Sequence, residues 1–395
     1  MPKKDEYGSQ PPIELLRQWF DTGFWYDRMK VVKNFMCDFQ IIAAMGKPGG
    51  GRAHITPRFT SKMHLINFTN PNEKQMRKIY DTIFSTKFSL FGDDIKSLDE
   101  TLALATINIF NQCCSDFLPT PKKTHYIYNM RDISKVFQGL YLADRNYYET
   151  KEDIIKLWAH EVLRVFHDRL ISFEDRAKFK KMVNDQMEAQ FSMNYEEHGM
   201  TDGERDAVFV DFLVEDEEMK VYEEVNDFSA LRVYLNEKLD EYNKQKKIQP
   251  MDIVLFTDAI IHVTRIYRVL NMKRGHALLV GVGGSGRHSL TRLSAYISNM
   301  NFDQLEIKKD FSIKDFRVKL MDLYEMAAYR NFRAGKGGTE KLKTVFIFSD
   351  NDVVHESFLE DIQNMLNSGI VPNIYPPEEL GRVRDEMKIC YKQHC

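Results

Sequence analysis

Residues 1–72 contain a helix-period segment and two short apolar runs. Ile13, Trp19 and their apolar neighbours recur at helical spacing. The runs 39–45 and 65–68 have the length of buried strands, and the glycine-rich stretch 46–52 between them has the composition of a loop. The pattern therefore predicts a helix followed by two strands of an α/β layer.

The following segment, 73–174, is predicted to be helical throughout. Helix-period apolar residues stop at Pro119, and two more helices are expected between 124 and 172. The second of these helices has a core face that carries Ile155, Trp158, Val162, Val165 and Phe166. Its opposite face carries Glu161, Arg164 and Asp168. His160 and His167 lack a third ligand, which favours packing or surface roles over metal binding.

Polar composition over 175–205 predicts a linker, and it leaves 206–395 as a further domain. Within that domain, the apolar run 277–280 is predicted to be a strand that leads into a glycine-rich turn and a helix start. Glycines let backbone amides close around phosphate oxygens, and a helix start adds partial positive charge. This candidate phosphate loop consists of Gly281, Val282, Gly283, Gly284, Ser285, Gly286, Arg287, His288 and Ser289.

The loop departs from the P-loop pattern GxxxxGK[ST] at two positions. Arg287 stands at the lysine position, where its planar fork can still contact phosphate. His288 replaces the Ser or Thr that would hold magnesium, which leaves Ser289 as the available hydroxyl. A glycine turn that only connects a strand to a helix is the alternative interpretation, and the flanking pattern favours nucleotide binding.

An apolar run that ends in an acidic residue, typical of a Walker B strand, begins at Thr344 and reaches Ser349 and Asp350. An intact Walker B strand ends in two adjacent carboxylates, one for magnesium and one to orient the attacking water. This sequence supplies Asp350 alone, so either role is open to it. Because losing a positioned base costs a factor of ~100 to ~10,000, the site is expected to bind nucleotide better than it hydrolyses it.

Composition and charge narrow the possible partners. The 395 residues are 43% hydrophobic and 29% charged, which predicts a folded chain of roughly two or three domains. The formal charge is −3, so there is no global field to attract nucleic acid or an anionic membrane. The cysteines form no CxxC pair, and the apolar runs are too short to span a bilayer. We therefore expect an intracellular protein.

Several long motifs resemble two adjacent AAA+ modules of an axonemal dynein heavy chain, of inner-arm type. The segments 275–287 (GHALLVGVGGSGR), 356–362 and 368–373 resemble the fourth module. The segments 7–19 (YGSQPPIELLRQW) and 129–139 resemble the third module. The resemblance implies an α/β fold of AAA+ type with two incomplete modules: 1–72 and the helical lid 73–174 from the third, and 206–395 from the fourth.

Residue roles follow from the resemblance at matching positions. Arg58 falls where AAA+ modules place the arginine finger that acts on a neighbouring module, and Arg131 falls at the sensor II position that opens a lid helix. A surface ion pair is the alternative for either arginine. Gly46 lies near the usual place of a polar sensor residue, which argues against catalysis by the third module. Ser289 and Asp350 are the candidate Mg²⁺ residues, with ATP or ADP as the nucleotide.

The resemblance implies part of an ATP-dependent, minus-end-directed microtubule motor of the ciliary axoneme, as a fragment or a short isoform. Its partners would be other dynein chains and AAA+ modules, and microtubules only through the stalk, which would lie beyond residue 395. No sustained heptad pattern is present. The alternative is a non-motor module that holds ADP or ATP structurally.

Overall fold

The computed structural model of this chain describes residues 4–46, 53–198, 200–201, 205–213, 220–245, 250–307, 309–330 and 343–394. The chain divides into two compact units, Met1–Asn72 and Glu73–Cys395.

The first unit consists of a helix, a hairpin and a short second helix. These elements are α1 (Pro11–Thr22), β1 (Phe24–Asp27), β2 (Val32–Phe35) and α2 (Pro57–Thr60). A proline starts α1, and Gly23 ends it in the left-handed conformation that glycine adopts without strain. The strands β1 and β2 pair in antiparallel fashion. The ring of Phe59 on α2 lies 5.8 Å from that of Phe20, which fixes α2 against α1.

The two strands predicted at 39–45 and 65–68 are wrong. Neither run belongs to a strand, and Ile42 is 93% exposed while Leu65 is 77% exposed. A buried strand needs neighbouring strands on its edges and layers on its faces, and the described residues provide neither for these runs. Most of the predicted glycine-rich loop, 47–52, lies outside the described residues.

The second unit begins with a helical bundle, as predicted from the spacing of its apolar residues. Its helices are α3 (Glu73–Phe88), α4 (Asp93–Lys96), α5 (Asp99–Asp116), α6 (Met130–Leu140), α7 (Lys151–Val162), a π-helical turn (Leu163–His167), α8 (Phe173–Phe191) and α9 (Tyr195–His198). Asn129 and Thr150 start α6 and α7 with capping boxes, which explains where these helices begin. The predicted core face of α7 and the π-turn is buried.

One expectation for this region is wrong. Residues 175–191 are not linker: they belong to α8, whose Phe179 and Val183 are fully buried in the bundle core. The charged face of α7 is also covered, since the Glu161 side chain is fully buried and paired with Arg268. Glu161 is thus a charged residue on a buried helix face, and its charge is compensated by a contact far along the chain.

The rest of the second unit combines short strands with further helices. The strands are β3 (Met200–Thr201), β4 (Arg205–Asp206), β5 (Phe209–Val210), β6 (Glu223–Glu224), β7 (Asn301–Gln304) and β8 (Thr344–Ile347). The helices are α10 (Phe228–Asn243), α11 (Thr257–Asn271), α12 (Arg287–Ile297), α13 (Ile313–Glu325), α14 (Ser357–Ser368) and α15 (Pro377–His394). Only the β7–β8 pair is parallel among the described strands.

Two cores hold these elements together. One joins α10, α11 and α12 through residues such as Leu235, Ile260 and Leu293. The other lies between α13 and α14, where the rings of Phe316 and Phe358 stack with centroids 4.1 Å apart. No helix in the described part of the chain has the length and hydropathy of a membrane span.

Candidate nucleotide-binding site

The predicted phosphate loop forms a tight turn that ends at a helix start. Gly284 and Gly286 have φ of +77° and +76°, the left-handed region that favours glycine. Gly286 is the residue before α12, and no side chain caps the first turn of α12 within the described structure. The first amides of a helix have no intrahelical acceptor, so this turn presents free N–H donors and the positive end of the helix dipole. That arrangement can bind phosphate.

The loop is folded closely on itself. A Cβ at Gly281 would lie 3.0 Å from Ser285 Oγ and 3.6 Å from Arg287 Cδ, so the arginine stem lies beside the first glycine. Arg287 is half-buried, His288 is exposed and Ser289 is half-buried. The Arg287 stem therefore lies beside the loop, and a guanidinium can form charge-assisted hydrogen bonds to a phosphate.

The loop leads into α12, which packs against α11. Leu293 of α12 is fully buried in the core that it shares with α11. Ser294 Oγ of α12 donates to the Val263 carbonyl oxygen at 3.2 Å. At the far end of α12, Asn271 Nδ2 donates to Ser298 Oγ at 3.0 Å. The position of the phosphate loop thus depends on α11 as much as on α12.

The strand predicted at 277–280 is wrong. These residues belong to no strand, and Leu278 is 83% exposed. The turn and the helix start are as predicted, but the described strands do not extend to the residues that precede them. The reason is the same as for the first unit: a short apolar run forms a strand only where a neighbouring strand offers its hydrogen bonds.

The strand predicted from Thr344 is present as β8. The acidic residues that follow it form a short 3₁₀ helix, which was not predicted. β8 pairs with β7 in parallel, and Ser349 follows it. Ser349 Oγ donates to Asp352 Oδ2 at 2.8 Å, and the Ser349 N–H donates to the same oxygen at 2.7 Å. Asp350 is exposed. Ser349 thus caps a short 3₁₀ helix, a role that the spacing of Ser349 and Asp352 could have revealed in the sequence.

Two of the predicted site residues offer oxygen ligands for a magnesium ion. Ser289 and Asp350 offer a hydroxyl and a carboxylate, both hard oxygen donors. No group of three or more His, Cys, Asp or Glu suited to a metal lies within the described residues. Magnesium usually keeps several waters and binds nucleotide phosphates, so two protein donors are sufficient for it.

Arg58 and Arg131 occupy different units and are both exposed. Arg58 projects from α2, which is anchored by the buried ring of Phe59. Arg131 is in the first turn of α6, where its backbone N–H donates to Asn129 Oδ1 at 2.9 Å. Each arginine therefore lies on a fixed helix with its guanidinium accessible. Gly46 is exposed and outside any strand.

Comparison with known proteins agrees with this geometry. Residues 251–394 match the family described as P-loop containing dynein motor region D4. Residues 1–71 match the P-loop containing dynein motor region, and 74–176 match the dynein heavy chain ATPase lid domain.

Individual relatives cover nearly the whole chain. It is 42% identical over 387 residues to dynein axonemal heavy chain 2 of Homo sapiens, which covers 98% of this chain and 8% of the relative. It is 40% identical over 388 residues to the dynein-1-beta heavy chain, flagellar inner arm I1 complex, of Chlamydomonas reinhardtii, with the same coverage. Dynein axonemal heavy chain 3 of Mus musculus is 40% identical over 399 residues, 98% of this chain and 10% of the relative.

A lid domain and P-loop motor regions define the AAA+ type of P-loop fold, as predicted. The chain belongs to the dynein heavy chain family. It spans about a tenth or less of the length of these relatives.

Proposed function

We propose that residues 281–289 bind ADP or ATP as the P-loop of the fourth AAA+ module of a dynein motor. The observation that carries this proposal is the uncapped start of α12 behind two left-handed glycines, with Arg287 beside it. The motor itself would be minus-end-directed on microtubules, located in the ciliary axoneme and assembled with other dynein chains. The axonemal names of the relatives support that location.

Different residues would contact the phosphates and the magnesium ion. Loop amides and Arg287 hold the phosphates, and Ser289 with Asp350 are the residues that would hold Mg²⁺. When bound, Mg²⁺ neutralises phosphate charge. Ser349 Oγ donates its proton to Asp352, and its hydroxyl is not the carboxylate base that would take a proton from an attacking water. This favours a site that retains nucleotide with little hydrolysis, which also supports the second candidate function, a non-motor module that holds nucleotide structurally.

The nucleotide site can be tested by Gly286→Asp. We expect ADP affinity to fall at least about ten-fold, because a carboxylate beside the phosphates costs several kcal/mol. The matched control is Gly369→Asp, which places the same residue at φ of +73° where a Cβ meets nothing within 4 Å. Isothermal titration of both variants separates the local repulsion from backbone strain. Equal ADP affinity in the two variants would refute the site.

Arg58 is proposed to act on the preceding module of the motor and not on the loop at 281–289. In a complete heavy chain, Arg58→Ala should cost the upstream site roughly 2 to 4 kcal/mol of transition-state stabilisation. In the chain studied alone, the same change should leave ADP affinity unchanged. Arg28→Ala, another exposed arginine of the first unit, is the control. A large loss of ADP affinity in the isolated Arg58→Ala chain would show that Arg58 acts on the loop at 281–289 and would refute this assignment.

A further inference from the structure

The lid bundle is tied to α11 by an ion pair buried within the second unit. The Glu161 side chain on α7 is fully buried, and that of Arg268 on α11 is 7% exposed. Arg268 Nε donates to Glu161 Oε1 at 3.0 Å, and its Nη2 donates to Oε2. Burial lowers the pKa of Arg268, but the charge of Glu161 more than offsets this and raises it above its ordinary range. The pair is therefore a charged, bidentate link between two helices that are far apart in sequence.

A second lid helix encloses the same carboxylate. A Cβ at Gly139 of α6 would lie 1.7 Å from Glu161 Oε2, so only glycine fits there. The preceding residue, Gln138, donates from Nε2 to the Lys273 carbonyl oxygen at 3.1 Å. The last turns of α6 thus hold both the buried ion pair and the chain just after α11.

The segment that Gln138 contacts leads directly to the phosphate loop. It is a tight turn: the Gly275 N–H donates to the Met272 carbonyl oxygen at 3.1 Å, and a Cβ at Gly275 would lie 1.7 Å from the Val269 carbonyl oxygen. Arg274 has φ of +57°. Since α11 also packs on α12, the lid fixes both the helix behind the phosphate loop and the turn that precedes it.

We propose that Glu161 and Gln138 are positioning residues for the phosphate loop at 281–289, so that nucleotide affinity there depends on the lid of the preceding module. This rests on the proposed function of the loop. Arg131 lies seven residues before Gln138 on α6, about 10 Å along the helix axis. One rigid helix therefore joins the sensor II position of one nucleotide site to the phosphate loop of the next.

The first experiment compares Gln138→Ala with Tyr141→Phe in the full chain. Both variants remove an exposed bond from a lid side chain to a backbone carbonyl, but Tyr141 Oη donates to Ile83, inside the lid. We expect Gln138→Ala to weaken ADP binding about three-fold, the effect of one hydrogen bond. Tyr141→Phe should bind ADP as the unaltered chain does. Equal affinities in the two variants would overturn the role of Gln138.

The second experiment compares Glu161→Gln with Thr106→Val. Thr106 Oγ1 accepts the hydrogen bond of Trp158 Nε1 at 2.8 Å, so Thr106→Val disturbs the lid core without touching α11. We expect Glu161→Gln to weaken ADP binding about ten-fold or more and Thr106→Val to leave it unchanged. Arg268→Lys keeps the charge but loses the two-point contact, so it should weaken ADP binding less than Glu161→Gln does. A folded Glu161→Gln chain that binds ADP as Thr106→Val does would contradict the proposal.

If Glu161→Gln fails to fold, the double variant Glu161→Leu with Arg268→Leu replaces the pair by apolar groups, a change that buried ion pairs often tolerate. Weakened ADP binding in this folded variant supports positioning, and unchanged binding refutes it.

Hydrogen exchange separates this proposal from that of the nucleotide site. Without nucleotide, residues 272–290 should exchange faster in Glu161→Gln and Gln138→Ala than in the two controls. Unchanged exchange refutes the positioning role even if the loop binds ADP. Conversely, faster exchange in a chain that binds no ADP would uphold the positioning role and refute the function proposed for the loop.

Discussion

Replacing Gly139 by alanine should lower the free energy of unfolding of the second unit by about 3–5 kcal/mol, the cost of breaking a buried ion pair. The new Cβ would overlap Glu161 Oε2 and Cδ, at 1.7 and 2.1 Å. Glu161 cannot move aside cheaply, because its carboxylate is fully buried and bonded to Arg268. Displacing it leaves a buried guanidinium without its partner. Urea unfolding followed by circular dichroism measures the change.

The matched control is Gly381→Ala. Gly381 lies inside α15, and a Cβ there meets nothing within 4 Å. Alanine is favoured over glycine within a helix, so this variant should gain about 0.5–1 kcal/mol of stability. If Gly139→Ala lost no more stability than the control, the carboxylate of Glu161 would not be confined as described.

The helical parts of the fold were predictable because their information is local. Capping residues such as Asn129 and Thr150 start the lid helices, and Pro119 follows the end of α5. The strand predictions at 39–45, 65–68 and 277–280 failed because a strand is defined by its neighbours, which an apolar run does not reveal. Only the run beginning at Thr344 became a strand, since β7 lies beside it.

The candidate site, too, was predictable from the sequence only where the information is local. The glycine turn was predictable, because the left-handed residues Gly284 and Gly286 and the start of α12 are encoded within ten positions. The face of α7 that carries Glu161 was not predictable, because its partner Arg268 lies more than a hundred residues later. A charged helix face is usually solvated, and periodicity alone cannot show that a second helix covers it.

The second unit should lose stability as pH falls from 7 to 5, before most carboxylates titrate. Burial lowers the pKa of His160 well below its ordinary value, and the charges of Arg164 and Arg268 lower it further. Burial also lowers the pKa of His167, although Asp168 partly offsets this. In the unfolded chain both imidazoles titrate near 6.5. Below that pH the unfolded state binds more protons than the folded state, so acid favours unfolding.

The expected slope is up to about 1.4 kcal/mol per pH unit for each of these two histidines. A second loss should follow below about pH 4, where the unfolded carboxylates begin to take up protons. Burial raises the pKa of Asp168, but Arg164 and Arg265 more than offset this, so its folded pKa lies below its ordinary value. Asp206 behaves in the same way, with Lys180 as the compensating charge. Their stabilisation is present above the unfolded pKa and is lost as pH falls through the folded pKa.

The histidine step can be isolated with two variants and one control. His160 Nδ1 lies 2.8 Å from the Ala207 carbonyl oxygen and its Nε2 lies 3.0 Å from Tyr222 Oη, so His160→Gln keeps polar atoms in the same place without a titrating group. His167→Asn removes the second group. Urea unfolding between pH 7.5 and 5 should give a shallower slope for each variant, while exposed His276→Gln should match the unaltered chain. A slope that neither buried substitution reduces would mean that these two imidazoles already take up protons in the folded state, because only a difference in proton binding between folded and unfolded chains makes stability depend on pH.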